Sequence, residues 1–236
     1  MILTIAALLP AVYLIGYVYK KDRVEKEPAG LLWKLAFLGA VSTIPAAFIE
    51  IVLENFLGIF FLPEQLFYQL ISNFLIVAVT EEFWKRQVVM RAAWRHPAFN
   101  YRFDAIVYAV CSAMGFAAME NIMYVADGGL SVAVSRALLA VPSHAVDGVL
   151  MGFFLGEAKL CERQGDFMGR KKNMKNSLLV PVLAHGFNDF CLTIGTVSAM
   201  LCFVAFVVIM DIFAVRKINQ ASKEDVPVDG MDRMYW

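Results

Sequence analysis

Glu81, Glu82, Glu120, His144 and His185 stand within stretches of sequence that are otherwise fit for lipid. A charge at the centre of a bilayer costs about 2.5–3.5 kcal/mol on insertion scales, so such groups face a bundle interior and need partners or a purpose. Glu81 and Lys85 are four residues apart and share a helix face, as do Glu82 and Arg86. An internal ion-pair ladder would account for the cations, but not for why two acids were placed there. Adjacent glutamates point about 100° apart on a helix, so at most one aims straight at a given centre. Phe116 and Glu120 share a face and are followed by Asn121, and Glu120 has no basic residue within a turn. His144 is preceded by Pro142, which can kink a helix and free a carbonyl, and is followed by Asp147 and Gly148. His185 is followed by Gly186, Asn188 and Asp189, the last on its own face. A lone buried histidine is usually a satisfied core residue. Two histidines in separate spans, each with a carboxylate about one turn on, ask for more. The third, His96, lies in a basic connection and is ordinary.

Carboxylates with imidazoles offer two routes to hydrolysis. A carboxylate can activate water as general base while histidine stabilises an oxyanion. Alternatively, Glu and His can hold a divalent metal that acidifies its bound water. The chain has no H-E-x-x-H and no G-x-S-x-G motif. Ser143 and Ser198 lack a base at helical spacing, and Asp147 and Asp189 lack the flanks of a presenilin-type aspartate pair. Four cysteines (Cys111, Cys161, Cys191, Cys202) form no metal-binding spacing and no disulfide framework.

The elements that must position these groups are membrane helices. Of 236 residues, 60% are hydrophobic and 18% charged, against roughly half and a quarter in soluble domains. The zero net charge gives no ground for a nucleic-acid partner. The expected architecture is an all-α, single-domain transmembrane bundle over 1–236. Apolar runs of about 20 residues predict seven spans, at about 2–19, 31–54, 68–91, 104–126, 131–156, 177–194 and 197–215. The first has no basic region before it and reads as an uncleaved span, not a secretory signal. Residues 55–67 read as an amphipathic helix lying in the interface, and 217–236 as a flexible polar cytoplasmic tail. Basic residues fall in alternate connections: Lys20–Lys26, Arg91–Arg102, Lys159–Lys175 and after Arg216. The positive-inside rule then puts the N-terminus outside and the C-terminus in the cytoplasm. At about 1.5 Å per residue, Glu120 lies about 9 Å from the outer surface, His185 about 14 Å, and His144 and Glu81 about 20 Å. A cavity in the outer half is expected, about midway through the membrane.

At these residues the sequence resembles the PrsW family of intramembrane proteases and, more distantly, the CAAX prenyl protease and bacteriocin-processing superfamily. The matching segments are EEFWK at Glu81–Lys85, FAAMEN at Phe116–Asn121, PSHAVDGVLMGFFLGEAK around His144, and HGFND at His185–Asp189. They occur in family order and span 81–189. The resemblance implies a multi-pass protein of the bacterial plasma membrane. It would make the first cut in a single-span anti-sigma factor, so that further proteolysis releases an extracytoplasmic-function sigma factor. It implies Glu81, Glu82, Glu120, His144 and His185 as the functional set, with Lys85, Asn121 and Asp189 supporting. It leaves open a metal such as zinc on His144, His185 and Glu120, or a metal-free glutamate mechanism. Two other readings stand beside it: an ion- or proton-coupled transporter, and a scaffold whose polar groups only bind helices together.

Overall fold

A computed structural model describes residues 2–228 of the chain. The described residues form helices α1 (Ile2–Lys21), α2 (Ala29–Val41), α3 (Thr43–Leu57), α4 (Leu66–Leu70), α5 (Ala78–Ala92), α6 (Asp104–Leu138), α7 (Ala140–Arg163), α8 (Phe167–Ile194) and α9 (Val197–Lys223). A π-helical segment, Ile71–Val77, joins α4 to α5. Among the described residues, six helical stretches are long and apolar enough to cross a membrane, against seven expected. The difference lies in residues 104–163, one stretch of 60 residues that would be about 90 Å long if straight. It contains α6 and α7 folded antiparallel. Gly156 lies against Arg102, Gly152 against Ile106 and Gly148 against Val110, so each step of four along α7 meets a step of four back along α6.

One break falls where a connection was expected, and another divides an expected span. Residues 127–130, expected as the outer connection, contain the break at Gly129, whose φ of 70° only glycine adopts cheaply. The chain folds back there. Arg136 reaches Asn121, fifteen positions earlier, a separation of about 22 Å on a straight helix. Residues 130–138 thus run back beside the end of α6, with Ala133 packed near Val125, in line with the expected fifth span, and a smaller break at Leu139 leads into α7. The second span is divided at Ser42, where Pro45 in the first turn of α3 removes a backbone donor. Ser42 and Thr43 hydroxyls donate to the Gly39 and Ala40 carbonyls at 2.7 and 2.8 Å. The expected interfacial helix over 55–67 is absent: α3 ends at Leu57, and a turn leads to α4 at Leu66.

The basic connections meet at one end of the bundle. Lys21 donates to Asn219 at 2.7 Å, Asn100 to Glu25 at 3.1 Å and Arg163 to Pro227 at 2.5 Å. This is the end that the positive-inside rule assigns to the cytoplasm. Residues 217–228 of the segment expected as a mobile tail are described. α9 runs to Lys223, and Arg102 N–H donates to Val226 O at 3.0 Å while Val228 N–H donates to Asn100 O at 2.7 Å. Residues 229–236 lie outside the described residues. Burial pushes the Asp225 carboxyl up to about 6, opposed by the Phe103 and Val226 amides that it accepts from.

α6 is the axis of the bundle. Nearly every residue from Asp104 to Ala117 is buried, as expected of a helix with neighbours on all sides. α2 and α7 press on it through glycines, the small-residue contacts by which membrane helices approach closely. A Cβ on Gly115 would lie 1.9 Å from Ala36 O, and one on Gly39 would lie 2.2 Å from Ser112 O. The opposite face of α2 and α3 carries Trp33, Phe37, Ile44, Phe48 and Ile51, all exposed, as a stripe for lipid. Gly115→Ala should therefore destabilise the bundle by about 2 kcal/mol or more. Thermal unfolding in detergent should show a clear loss, whereas Gly16→Ala, where the added methyl meets nothing, should melt like wild type.

Candidate active site

The π-helical turn and α5 carry the first acids. Glu81 lines a cavity of about 550 Å³, while Glu82, one residue on, is fully buried behind it. The Lys85 ammonium, also fully buried, lies 3.0 Å from Glu81 Oε2, 2.7 Å from Glu82 Oε1 and 3.1 Å from His144 Nδ1. It also stands 4.5 Å from the centre of the Phe116 ring. Arg86 does not pair with Glu82 as the spacing predicted. It donates instead to Ser177 Oγ at 2.9 Å and Met174 O at 3.3 Å.

An ammonium can only donate, so His144 Nδ1 accepts from Lys85 and the imidazole proton sits on Nε2. That nitrogen is 2.9 Å from Glu120 Oε2, so His144 is a neutral ring donating to a carboxylate. Glu120 also receives Arg136 at 3.1 Å. Arg136 donates further to Asn121 Oδ1 at 2.9 Å, and Asn121 donates to Ala7 O of α1 at 2.8 Å. His185 lies between two acids: Nδ1 is 2.8 Å from Glu82 Oε1 and Nε2 is 3.1 Å from Asp189 Oδ2. Glu81 Oε2 is 3.7 Å from His185 Nε2, and Asp147 Oδ2 is 3.6 Å from Nδ1. The two imidazoles meet edge to face, 5.3 Å between centres.

Ligand atoms of Glu81, Glu82, His144 and His185 all lie within 4.8 Å of one another, a group that could hold a metal ion. Glu82 Oε2 is buried without a hydrogen-bond partner, which leaves one acceptor free for a cation. The donor chemistry fits zinc-class metals. Glu120 stands outside the group, on the far nitrogen of His144. Lys85 competes for the same oxygens.

The cavity takes its lining from the ends of α3, α5, α6, α7, α8 and α9 remote from the basic connections. Sequence reading missed some of its polar groups. Glu50 and Glu54 of α3 line it, and Glu54 accepts from Ser72 Oγ at 2.7 Å. They lie near the outer end of a span, where acids pass as interfacial. Arg136 was missed because its approach to Glu120 depends on the fold-back at Gly129. Asn188, which also lines the cavity, has its Oδ1 buried and unpartnered.

A multi-pass helical bundle with clustered glutamates and histidines facing a cavity in its apolar interior defines a membrane-embedded hydrolase. The sequence profile of the PrsW family of intramembrane metalloproteases matches residues 27–215. The chain belongs to this family. It is 34% identical to Protease PrsW of Oceanobacillus iheyensis over 224 residues, 94% of this chain and 96% of that one. It is 35% identical to Protease PrsW of Bacillus subtilis over 92% of this chain and 94% of that one. No solved structure is a significant match. The protein is thus a multi-pass bacterial membrane protease, and the transport and scaffold readings give way to it.

Removing Lys85 leaves buried acids uncompensated. Lys85→Ala should destabilise the fold by about 3–5 kcal/mol, read as a lowered melting temperature in detergent. Lys171→Ala, at an exposed position, should change it little.

Proposed function

We propose that this protease makes the first, site-1 cleavage of a single-span membrane protein of the anti-sigma-factor class, close to the outer side of the membrane. The observation that carries this reading is the cavity. It holds Glu81, Glu120, His144 and His185 together in the half of the bundle remote from the basic end, where an outer-side segment of a substrate helix could enter. Further proteolysis would then free the sigma factor.

Of the adjacent pair, Glu81 is the acid that faces the cavity, beside His185 Nε2, so it takes the role of general base toward the attacking water. Glu82 is a positioning residue that holds Lys85 and His185. Glu82 against Nδ1 and Asp189 beside Nε2 fix the His185 ring. Without a metal, its Nε2 proton would pass from Asp189 to the developing oxyanion and the leaving amine, and with a metal, Nδ1 would be deprotonated to ligate it. Glu120 and Arg136 fix His144. Glu81, Glu82, His144 and His185 would hold a zinc ion, which when bound supplies an acidified water and a Lewis acid. A metal-free mechanism is the second reading, favoured by one observation: Lys85 already satisfies Glu81, Glu82 and His144 Nδ1.

The test uses detergent-purified protein and a single-span reporter carrying an anti-sigma-type outer segment. Elemental analysis and cleavage are measured on the same sample, with and without chelator. Glu81→Gln and His185→Ala should each lower cleavage by about 10²–10⁴-fold at unchanged membrane-inserted yield. Near-stoichiometric zinc with chelator-sensitive cleavage selects the metal mechanism. Cleavage that persists without metal but fails in Glu81→Gln selects the glutamate mechanism. Normal cleavage by both variants would overturn the site.

A further inference from the structure

The basic end of the bundle holds a second set of buried acids that the cavity does not use. Asp22 follows α1, Glu27 precedes the proline that opens α2, and Asp104 is the first residue of α6. They are only 2%, 3% and 1% exposed. One ligand oxygen from each lies within 4.8 Å of the other two. The protein donors here are few. Asp104 Oδ2 accepts from the amides of Asn100 and Tyr101 at 3.0 and 2.7 Å. The Tyr108 hydroxyl donates to Glu27 Oε2. Asp22 Oδ2 and Asp104 Oδ1 are buried with no donor at all.

Among the described residues no lysine or arginine forms an ion pair with any of the three. Lys26, the neighbouring cation, is exposed and donates to the backbone carbonyls of Tyr19 and Asp22. Asp225 stands close by as a further acid and accepts from Phe103 N–H at 2.9 Å. Three buried carboxylates in contact repel one another, and separate acceptors left without donors describe a place for positive charge. The donor set is all oxygen, with no imidazole or thiolate, which selects hard cations over zinc-class metals.

We propose that Asp22, Glu27 and Asp104 bind one hard divalent cation of the magnesium class at the cytoplasmic face. The ion would clamp the α1–α2 connection to the start of α6. Through Phe103 and Asp225 it would also steady the docked C-terminal segment. It is a structural site, on the opposite side of the membrane from the cavity and independent of the mechanism there.

Manganese is the probe, titrated into full-length, metal-stripped protein in detergent and followed by loss of the free-ion paramagnetic signal. Glu82→Gln serves as background, to weaken cavity binding. One saturable manganese per chain is expected, displaced by magnesium or calcium, with Asp22→Asn and Glu27→Gln each weakening it at least tenfold. No saturable site, or unchanged binding in both variants, overturns the proposal and leaves the acids held by shared protons. Should the variants fail to insert, terbium on the otherwise unaltered protein gives a second readout. The Tyr108 ring beside Glu27 should sensitise terbium emission, and Tyr108→Phe should abolish most of it without removing a ligand. Emission that is absent in the parent protein, or unchanged in Tyr108→Phe, overturns the site equally.

Discussion

A fully buried lysine is the constraint on which the rest of this bundle depends. Lys85 cannot reach water, so its ammonium needs acceptors within the protein, and it has Glu81, Glu82 and His144 Nδ1. In a medium with no water to substitute, satisfying those groups fixes relative positions as well as energies. Lys85 ties α5 to α7 through His144, and Glu82 ties α5 to α8 through His185. Its Phe116 contact and the Ser112 hydroxyl on its carbonyl tie α5 to α6. Four helices thus meet around one charge, and the cavity is the space on the outer side of that meeting point.

The irregular backbone serves the same point. A regular helix through 71–77 would bring different side chains to face α8; the π-helical turn lets Asn73 accept from Thr193 while Glu81 still faces the cavity. Such turns recur at functional sites because they rephase a helix locally. The break at Ser42 and Pro45 separates two jobs. α2 lies backbone to backbone against α6, while α3 brings Glu50 and Glu54 to the cavity. The fold-back at Gly129 returns Arg136 to Glu120. Each irregularity lies where a straight helix would miss the site.

The sequence made plain whatever depends on local composition. Long apolar runs marked the crossings, and alternating basic connections marked the end at which they gather. Charged residues within those runs marked the cavity, because an ionisable group in lipid is too costly to keep without a partner or a role. What stayed hidden depends on backbone that turns without a polar loop. The break at Ser42 lies inside one apolar run, so composition read 31–54 as a single straight span. Partner choice was also hidden. Helical spacing offered Arg86 to Glu82 as readily as Lys85. Only the packing of α8, with Ser177 and the Met174 carbonyl, shows that Arg86 is already engaged. The docked segment 225–228 gave no hydrophobic signal, since its hold on Asn100–Phe103 is made mostly by backbone groups that every residue carries.

Charge balance bears on whether the cavity can accept a metal while Lys85 stays charged. Around the cavity stand Glu50, Glu54, Glu81, Glu120, Asp147 and Asp189, with Glu82 just behind. Against them are the fixed cations Lys85 and Arg136, with His185 held between acids. His144 is neutral and already donates to Glu120. The acids remain in excess, so the site has a deficit of positive charge that a divalent ion would reduce. The obstacle to metal binding is therefore geometric, not electrostatic. Lys85 stands where a metal on Glu81, Glu82 and His144 Nδ1 would sit. A metal there would have to take those groups from Lys85, whose ammonium would keep the Phe116 ring, 4.5 Å away. Lysine suits this exchange better than arginine, because a point charge on a flexible stem can move between acceptors that a planar fork would hold in one geometry.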